Sequence, residues 1–387
     1  MNWQTVKLAD LCTVITKGTT PSNIGESFTE SGVNYIRSEM ITDAKYISPN
    51  GMLYISEGTH EKLKRSKLKK NDILFSMAGV YLGKTALLRE EDVPANTNQA
   101  VALIRLNSSK CNLEYVYYFL NLPETVVKVN TVSGQAAQPN INLKQIGNIE
   151  IVLPDIEIQN RIVNSLSAYD DLIENNQKQI KLLEEAVQRL YKEWFVDLRF
   201  PGYENTPITN GVPQGWKDGT LGEIAFFKRG KTITKDQTCE GMVPVVAGGL
   251  EPAYYHNQSN TASPVITVSG SGANAGFTRM YHTEVWASDC SFVDAQNTDN
   301  IYFAYCVLKN KKSDIDSLQK GAAQPHVYAK DINALEILVP GSLCLAEFEN
   351  LVTPFFEKIK ALYQQIELSK EARDRLLPKL MSGELEV

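Results

Sequence analysis

Two segments come close to spacings that do chemistry. Residues 78–85 read Ala-Gly-Val-Tyr-Leu-Gly-Lys-Thr. A Gly-rich loop closing on Gly-Lys-Thr can cradle phosphate with its backbone amides, but that loop needs a glycine where Ala78 stands. Residues 269–276, Ser-Gly-Ser-Gly-Ala-Asn-Ala-Gly, run one residue too long for the dinucleotide spacing G-x-G-x-x-G. Both are read as Gly-rich turns. The six cysteines (Cys12, Cys111, Cys239, Cys290, Cys306, Cys344) and four histidines (His60, His256, His282, His326) are scattered, with no C-x-x-C pair. No zinc site is expected, and the usage fits a reduced compartment. With no nucleophile elbow, no H-E-x-x-H run and no metal-spaced cluster, no catalytic residue and no metal ligand is assigned.

The densest charge is Lys62, Lys64, Arg65, Lys67, Lys69 and Lys70. Such a run reads equally as a track for a phosphate backbone and as a solvated helix face. A smaller cluster holds Lys228, Arg229, Lys231 and Lys235, and another Lys309, Lys311 and Lys312. The 387 residues carry a net charge of −6, which argues against a histone-like binder. By segment, 1–154 carries +2, 155–200 −3, 201–340 −3 and 341–387 −2. No run of 18 apolar residues predicts a membrane span, and Met1-Asn2-Trp3-Gln4-Thr5 has no basic start followed by an apolar stretch. The expectation is a cytoplasmic protein with a packed core, 43% of its residues being hydrophobic.

The elements that must position these groups occur twice. Residues 179–190 (QIKLLEEAVQRL) and 365–376 (QIELSKEARDRL) are identical at seven of twelve positions, at an offset of 186. The same offset pairs Ala136-Ala137-Gln138-Pro139 with Ala322-Ala323-Gln324-Pro325. Further upstream the offset drifts to 193 (Ile73, Ser76, Gly79, Gly83 with Ile266, Ser269, Gly272, Gly276) and to 213 (Trp3, Leu8 with Trp216, Leu221). Drifting offsets are loops of unequal length on a shared frame. The period is too long for a solenoid, so the chain is one unit written twice.

Each copy opens with short apolar runs, such as Asp72–Phe75 and Ala100–Ile104, an amphipathic stretch at Leu113–Leu120, and many Gly and Asn turn signals. That predicts an α/β (α+β) domain. Each copy closes on a heptad helix. Ile162, Leu166, Tyr169, Ile173, Asn176, Ile180, Leu183, Val187, Leu190 and Trp194 alternate steps of four and three. Shifted by 186, the second seam holds Phe348, Val352, Phe355, Ile359, Leu362, Ile366, Ser369, Arg373, Leu376 and Leu380. Asn176 is the polar member that sets register. Pro154 and Pro340 precede the helices. Pro354 is expected to break the second near its start, and Pro201-Gly202 and Pro378 to mark the stops or a late kink. Two such helices in one chain predict antiparallel packing on each other. The domains are expected at 1–154 and 201–340, and the spacer helices at 155–200 and 341–387.

In this order and duplication, the chain resembles the specificity subunits of Type I restriction–modification systems over its whole length. Lys17-Gly18-Thr19-Thr20-Pro21 resembles that family's Gly-x-Thr-Pro loop. Asp72–Ser76 with Gly79 and Gly83 resembles its DILFS strand and turn, and Gln138–Ile141 its passage to the spacer helix. Leu377-Pro378-Lys379-Leu380-Met381-Ser382-Gly383-Glu384-Leu385 resembles its C-terminus. The second copy departs at Gly230-Lys231-Thr232, where no proline follows, at His326, which stands where Asn140 does, and at the helix entry Cys344–Phe348, which only partly resembles the family's "LAEQ".

The resemblance implies a DNA-reading subunit without catalysis or cofactor of its own. Each domain would read one half of a bipartite double-stranded target. Two modification subunits, binding S-adenosylmethionine, would methylate adenine. Restriction subunits, using ATP and Mg2+, would cleave, and no membrane would take part. Half-sites about 34 Å apart suit a two-headed reader. Candidate DNA contacts in the first domain are Lys17, Thr19, Thr20, Ser22, Arg37, Ser38, Lys67, Lys69, Lys70, Ser76, Tyr81, Lys84, Gln135 and Gln138. In the second they are Lys228, Arg229, Lys231, Thr232, Ser269, Ser271, Asn274, Lys320 and Gln324. Lysine and arginine are expected mostly on phosphate, asparagine and glutamine more often on bases. The alternative is a coiled-coil scaffold joining two ligand-binding domains without DNA.

Overall fold

The apolar runs at 73–75 and 101–104 lack polar alternation, the pattern of strands covered on both faces. The computed structural model, which describes residues 3–49, 51–132, 139–319 and 325–386, shows that covering. The chain divides into two units, Met1–Glu174 with Ile366–Val387, and Asn175–Gln365.

The first unit runs β1 (Gln4–Lys7), α1 (Leu8–Leu11), β2 (Cys12–Lys17), β3 (Val33–Ile36), β4 (Leu53–Ile55), α2 (Glu57–Lys62), β5 (Ile73–Ser76), β6 (Thr85–Leu87), β7 (Ala95–Thr97), β8 (Val101–Leu106), α3 (Leu113–Leu120), α4 (Pro123–Val132), α5 (Leu143–Gly147) and β9 (Glu150–Leu153). The long helix α6 (Ile156–Tyr191) follows and ends in a π turn, Lys192–Val196. Among the described residues, the sheets are β2-β8-β5-β6, β4-β3-β7 and β1-β9. Ladders are antiparallel except β3-β7. Alternate residues of β8 serve two cores. Ala102 and Ile104 join Ile73, Phe75 and the α3 side chains, whereas Val101 and Leu103 join Leu74, Ile36 and Ala95. Asp72 opens β5. Its carboxylate accepts the Lys69 N–H at 2.7 Å and the Arg105 fork at 2.7 Å from both Nε and Nη2, which ties β5 to β8. The stretch 113–120 was expected to be amphipathic. As α3 it buries every residue from Tyr115 to Leu120, because it lies inside the core between the sheet and α6.

The second unit repeats this frame after a hairpin of β10 (Ile208–Thr209) and β11 (Val212–Pro213). Its elements are β12 (Lys217–Thr220), β13 (Lys228–Arg229), β14 (Val243–Val246), β15 (Tyr254–His256), β16 (Val265–Ser269), β17 (Thr278–Tyr281), β18 (Trp286–Ala287), β19 (Cys290–Asp294), α7 (Ile301–Asn310), α8 (Lys312–Ser317), α9 (Ala329–Asn333) and β20 (Glu336–Val339), and then α10 (Ser342–Ser382). The sheets are β13-β19-β16-β17, β15-β14-β18 and β12-β20. Strand for strand this is the order of the first unit, including the one parallel ladder, β14-β18.

Within the first unit the start of α6 meets the end of α10. Ile162 and Leu166 are buried with Leu377, Leu380 and Met381. Asp170 accepts from Arg373 Nη1 at 2.7 Å and also from the Tyr118 hydroxyl. Within the second unit the end of α6 meets the start of α10. Trp194 and Phe195 lie 5.8 and 5.0 Å from the Phe348 ring, and Asn176 Nδ2 donates to Gln365 Oε1 at 3.3 Å. The helices are therefore antiparallel. Ile173, Ile180, Val187, Val352, Ile359, Leu362 and Ile366 are buried, while Tyr169, Leu183 and Leu190 are half-buried. On the second helix the seam departs by one residue at two points. Phe355 and Leu376 are half-buried, and their neighbours Phe356 and Leu377 take the buried places. Both departures are local, because Ile359, Leu362, Ile366 and Leu380 are buried in the predicted register.

Pro354 does not break α10, contrary to the expectation, and Pro378 lies inside it too. Proline removes one hydrogen bond, here the one to the Asn350 carbonyl, and both Asn350 and Pro354 face solvent. Phe348, Val352 and Phe356 hold the helix on either side of the defect. The Thr353 hydroxyl donates back to the Glu349 carbonyl at 2.7 Å.

Glu349 is a buried acid of the second unit. Its carboxylate accepts from Phe303 N–H at 2.7 Å and Tyr302 N–H at 3.4 Å at the start of α7. Burial pushes its pKa from 4.5 up to about 7, against the pull of those two amides. The folded protein thus binds this proton more tightly than the unfolded chain, so stability falls as pH rises from about 4.5 to about 7. Glu349→Gln keeps an acceptor and removes the titration. The variant should match the parent near pH 4 and exceed it by about 1–3 kcal/mol at pH 8. Denaturant unfolding at both pH values checks this, and parallel pH profiles would refute it.

Candidate nucleic-acid interface

In the first unit, one end of the four-stranded sheet gathers most of the predicted loops. There β2 and β5 finish and β8 begins. Gly18 N–H donates to Val101 O and Thr19 N–H to Thr97 O at 3.1 Å, while Met77 N–H donates to Ala100 O at 2.8 Å. The turn 98–100 therefore sits between both loops. A Cβ on Gly18 would lie 1.8 Å from Thr97 O, so only glycine allows this approach. Thr20 Oγ1 donates to the Gln99 side chain, Arg65 Nη2 to Thr19 Oγ1 at 3.2 Å, and Tyr35 Oη to Thr19 O at 3.0 Å. Burial pushes the Tyr35 phenol up to about 12, which keeps it a donor. Lys17 and Ser22 are exposed, and Thr19 and Thr20 half-buried. Arg37 and Ser38 continue from β3, with Arg37 paired to Glu39 at 2.7 Å.

The basic run is not one helix face. Its chain leaves α2 at Lys62, makes a 3-10 turn at Lys64–Ser66, and bridges Leu68 to Ala95. Lys62, Lys67 and Lys70 are paired with Glu26, Glu61 and Glu90, whereas Lys64 and Lys69 are exposed and make no ion pair among the described residues.

The Gly-rich segment at 78–85 is a turn. Gly79 and Gly83 have φ of 70° and 83°, and the antiparallel strand β6 follows rather than the helix a phosphate loop needs. Gly272 (77°) and Gly276 (85°) repeat it before β17. Each turn is stitched to the segment leading to the spacer helix: Gly79 N–H to Pro139 O at 3.1 Å, and Gly272 N–H to Pro325 O at 3.1 Å. Tyr81 is half-buried with Lys84 Nζ 6.0 Å from its ring, and Lys84 pairs with Asp43 at 3.0 Å. Ser76 and Ser269 end their strands with buried side chains, which removes them from the candidate contacts. Gln135, Gln138, Lys320 and Gln324 lie outside the described residues.

The second unit builds the same sheet end from different groups. Gly230 N–H donates to Cys290 O at 2.8 Å and Lys231 N–H to Ala287 O at 2.9 Å. Arg229 Nη2 pairs with Asp289 Oδ1 at 2.7 Å, and Ser271 Oγ donates to the other carboxylate oxygen. Trp286 Nε1 donates to Lys231 O at 2.8 Å, and Lys228 reaches the Asn297 side chain. Lys231 and Thr232 are exposed, and Asn274 is half-buried. His326, bridged to Ser271, stacks on Tyr328 at 5.9 Å. Arg65, Gln99, Asp289 and Trp286 were not among the candidate contacts. A search for cations and amides passes over a carboxylate, and Gln99 carries no signal until the turn 98–100 is seen beside Thr20.

Among the described residues, no group of three or more His, Cys, Asp or Glu is placed to hold a metal ion, and no helix is long and apolar enough to cross a membrane. Two copies of one β-rich binding frame, each completed by parts of the same two long helices, define a tandem recognition protein. The chain matches the Type I restriction modification DNA specificity domain over residues 1–185 and 213–342. It is 28% identical to the Type I restriction enzyme MjaIX specificity subunit of Methanocaldococcus jannaschii, over all of this chain and 94% of that one. It is 20% identical to the HindI specificity subunit of Haemophilus influenzae, over 83% of this chain and 88% of that one. Its fold is that of the crystal structure of a Type I restriction–modification S subunit from M. genitalium, with a TM-score of 0.56 at 19% identity, covering 98% of this chain and 96% of that one. The chain belongs to the Type I restriction–modification specificity family, as the non-catalytic DNA specificity subunit. The scaffold reading without DNA falls with that membership.

Gly18→Ala should open the first recognition loop, because the methyl group would collide with the Thr97 carbonyl. We expect a lowered Tm and at least tenfold weaker DNA binding by the assembled complex. Gly25→Ala, where a Cβ meets nothing within 4 Å but φ is 74°, should cost only about 1 kcal/mol. Thermal melts beside DNA titrations check both.

Proposed function

We propose that the domains at 1–154 and 201–340 each read one half of a bipartite double-stranded DNA target, with the segments 155–200 and 341–387 as spacer and as docking surface for partner subunits. The observation that carries this reading is the shared sheet end. The same strands present the same loops in both units, but with different polar groups: Lys17, Thr19, Thr20 and Arg65 in one, and Lys228, Arg229, Lys231 and Ser271 in the other. One frame with two sets of tips suits two different half-sites. Lys69 and Lys64, free of ion pairs among the described residues, are assigned to phosphate.

Two modification subunits are inferred from a second duplication. Leu182, Glu185, Ala186 and Arg189 of α6 recur as Leu368, Glu371, Ala372 and Arg375 of α10. At i, i+3, i+4 and i+7 these residues form one stripe, and both leucines face solvent, at 64% and 65% exposure. A single exposed leucine is ordinary. The same stripe on both helices favours one partner bound twice. Those partners would carry S-adenosylmethionine for adenine methylation. Restriction subunits, carrying ATP and Mg2+, would cleave, and the assembly would work in the cytoplasm.

Replacing residues 1–153 by the matching domain of another specificity subunit should change one half of the methylated sequence and leave the other. A long-read methylation profile decides it, and a change in both halves or in neither sinks the modular reading. Leu182→Asp and Leu368→Asp should each remove one methyltransferase from the assembly, and the double variant both. Native mass spectrometry reads the count, and two partners retained in each single variant would contradict the stripe. Alone, the chain should bind DNA weakly, and tight sequence-specific binding by the isolated chain would count against the reading.

A further inference from the structure

We propose that Arg229 is the guanine-reading residue of the second unit and that Asp289 is its positioning residue. The inference rests on the reading that this unit recognises one half-site.

Four observations lead to it. First, Arg229 ends β13 directly before Gly230, whose backbone is wedged against β18. A Cβ there would lie 2.4 Å from Ser288 O and 2.6 Å from Ala287 O. The arginine backbone therefore has no slack. Second, one end of the guanidinium is held at 2.7 Å by Asp289, while the side chain stays 50% exposed. An arginine fixed in this way has already lost the rotamer freedom that binding would otherwise remove. Third, the carboxylate cancels most of the net charge that makes an arginine useful against phosphate, an attraction that is Coulombic. It leaves the remaining N–H donors in a defined plane, and paired donors in a plane are what guanine O6 and N7 accept. Fourth, both oxygens of Asp289 are engaged, by Arg229 and by Ser271, and its carbonyl accepts Gly270 N–H at 3.1 Å. Asp289 thus ties three segments together, with each carboxylate oxygen already holding a side chain of the site.

The first unit lacks this device. By the shared hydrogen-bond pattern, Gly18 corresponds to Gly230, so Lys17 stands for Arg229. Ala78 stands for Ser271, and the turn Asn98-Gln99-Ala100 contains no carboxylate. Lys17 makes no ion pair among the described residues and suits phosphate. At this position of the frame the buttressed arginine belongs to one half-site only, which makes the two halves chemically unequal there.

The test uses the full specificity–methyltransferase complex and DNA duplexes in which each guanine of the methylated motif is replaced in turn by 7-deazaguanine, which lacks N7. With the parent complex, one replacement in the half read by the second unit should weaken binding roughly five- to hundredfold. In the Arg229→Ala complex that same replacement should cost nothing further, while replacements in the other half act as before. Asp289→Asn, which keeps an acceptor for Ser271 but no longer fixes the guanidinium, should shrink the penalty at that one position while replacements in the other half act as before. A 7-deazaguanine penalty equal in parent and Arg229→Ala overturns the proposal. So does a loss in Arg229→Ala that is uniform across all sequences with a shallower salt slope, which marks a phosphate contact. If Arg229→Ala alters readout in both halves, the half-site reading itself is at fault.

Discussion

Residues 1–174 do not close the core of the first unit by themselves. Leu377, Leu380 and Met381, from the far end of the chain, pack among Ile162, Leu166 and the side chains around β5 and α3. Chain ends this far apart in sequence must be joined before the first unit is complete. The heptad seams supply the joining force, and the Asp170–Arg373 pair within the first unit supplies the register. That pair is buried, and burying two charges is repaid only when geometry is good and remaining lone pairs are satisfied. The Tyr118 hydroxyl, donated to the same carboxylate, meets that condition, and burial together with the Asp170 charge raises its pKa so that it stays a donor. Arg373 thus acts as a key where a seam position looks weakened.

The recognition ends depend on this frame and vary freely on top of it. Glycines hold what both units share: Gly18 and Gly230 allow the loop after the first long-sheet strand to lie on the neighbouring turn, and Gly79 and Gly272 reverse the chain in a left-handed conformation. Neither role involves a side chain, so neither restricts what stands beside the glycine. Lys17 and Arg229, or Ala78 and Ser271, can differ without cost to the fold. A duplicated scaffold with fixed glycines and free neighbours can carry two different sets of tips on one fold.

The repeat, the heptads and the strand–turn signatures were legible because they depend on period and order, which a sequence states directly. The strand-for-strand duplication seen in the sheets is the physical meaning of the drifting offsets. Other features were hidden because they depend on three-dimensional neighbours. The exchange of Phe355 for Phe356 depends on α7, where the Tyr302 ring stacks on Phe356 at 4.1 Å. The continuity of α10 through Pro354 depends on which face that proline occupies. The full burial of α3 shows only once α6 covers it. Arg229 was visible as a cation, but Asp289 could not be paired with it from a separation of 60 positions.

An acidic chain that reads DNA is a consistent object once its cations are followed to their partners. Lys62, Lys67 and Arg229 are each held by a carboxylate and present directed donors, whereas Lys17, Lys64 and Lys69 make no ion pair among the described residues. Counterion release, which provides most affinity for DNA, scales with the number of phosphates neutralised. Discrimination among bases scales with how well the donors are aimed. Pairing a cation with a carboxylate reduces the first and improves the second. A subunit whose task is choosing a sequence gains from that exchange, because strong attraction to every phosphate would hold it on wrong sites as tightly as on right ones.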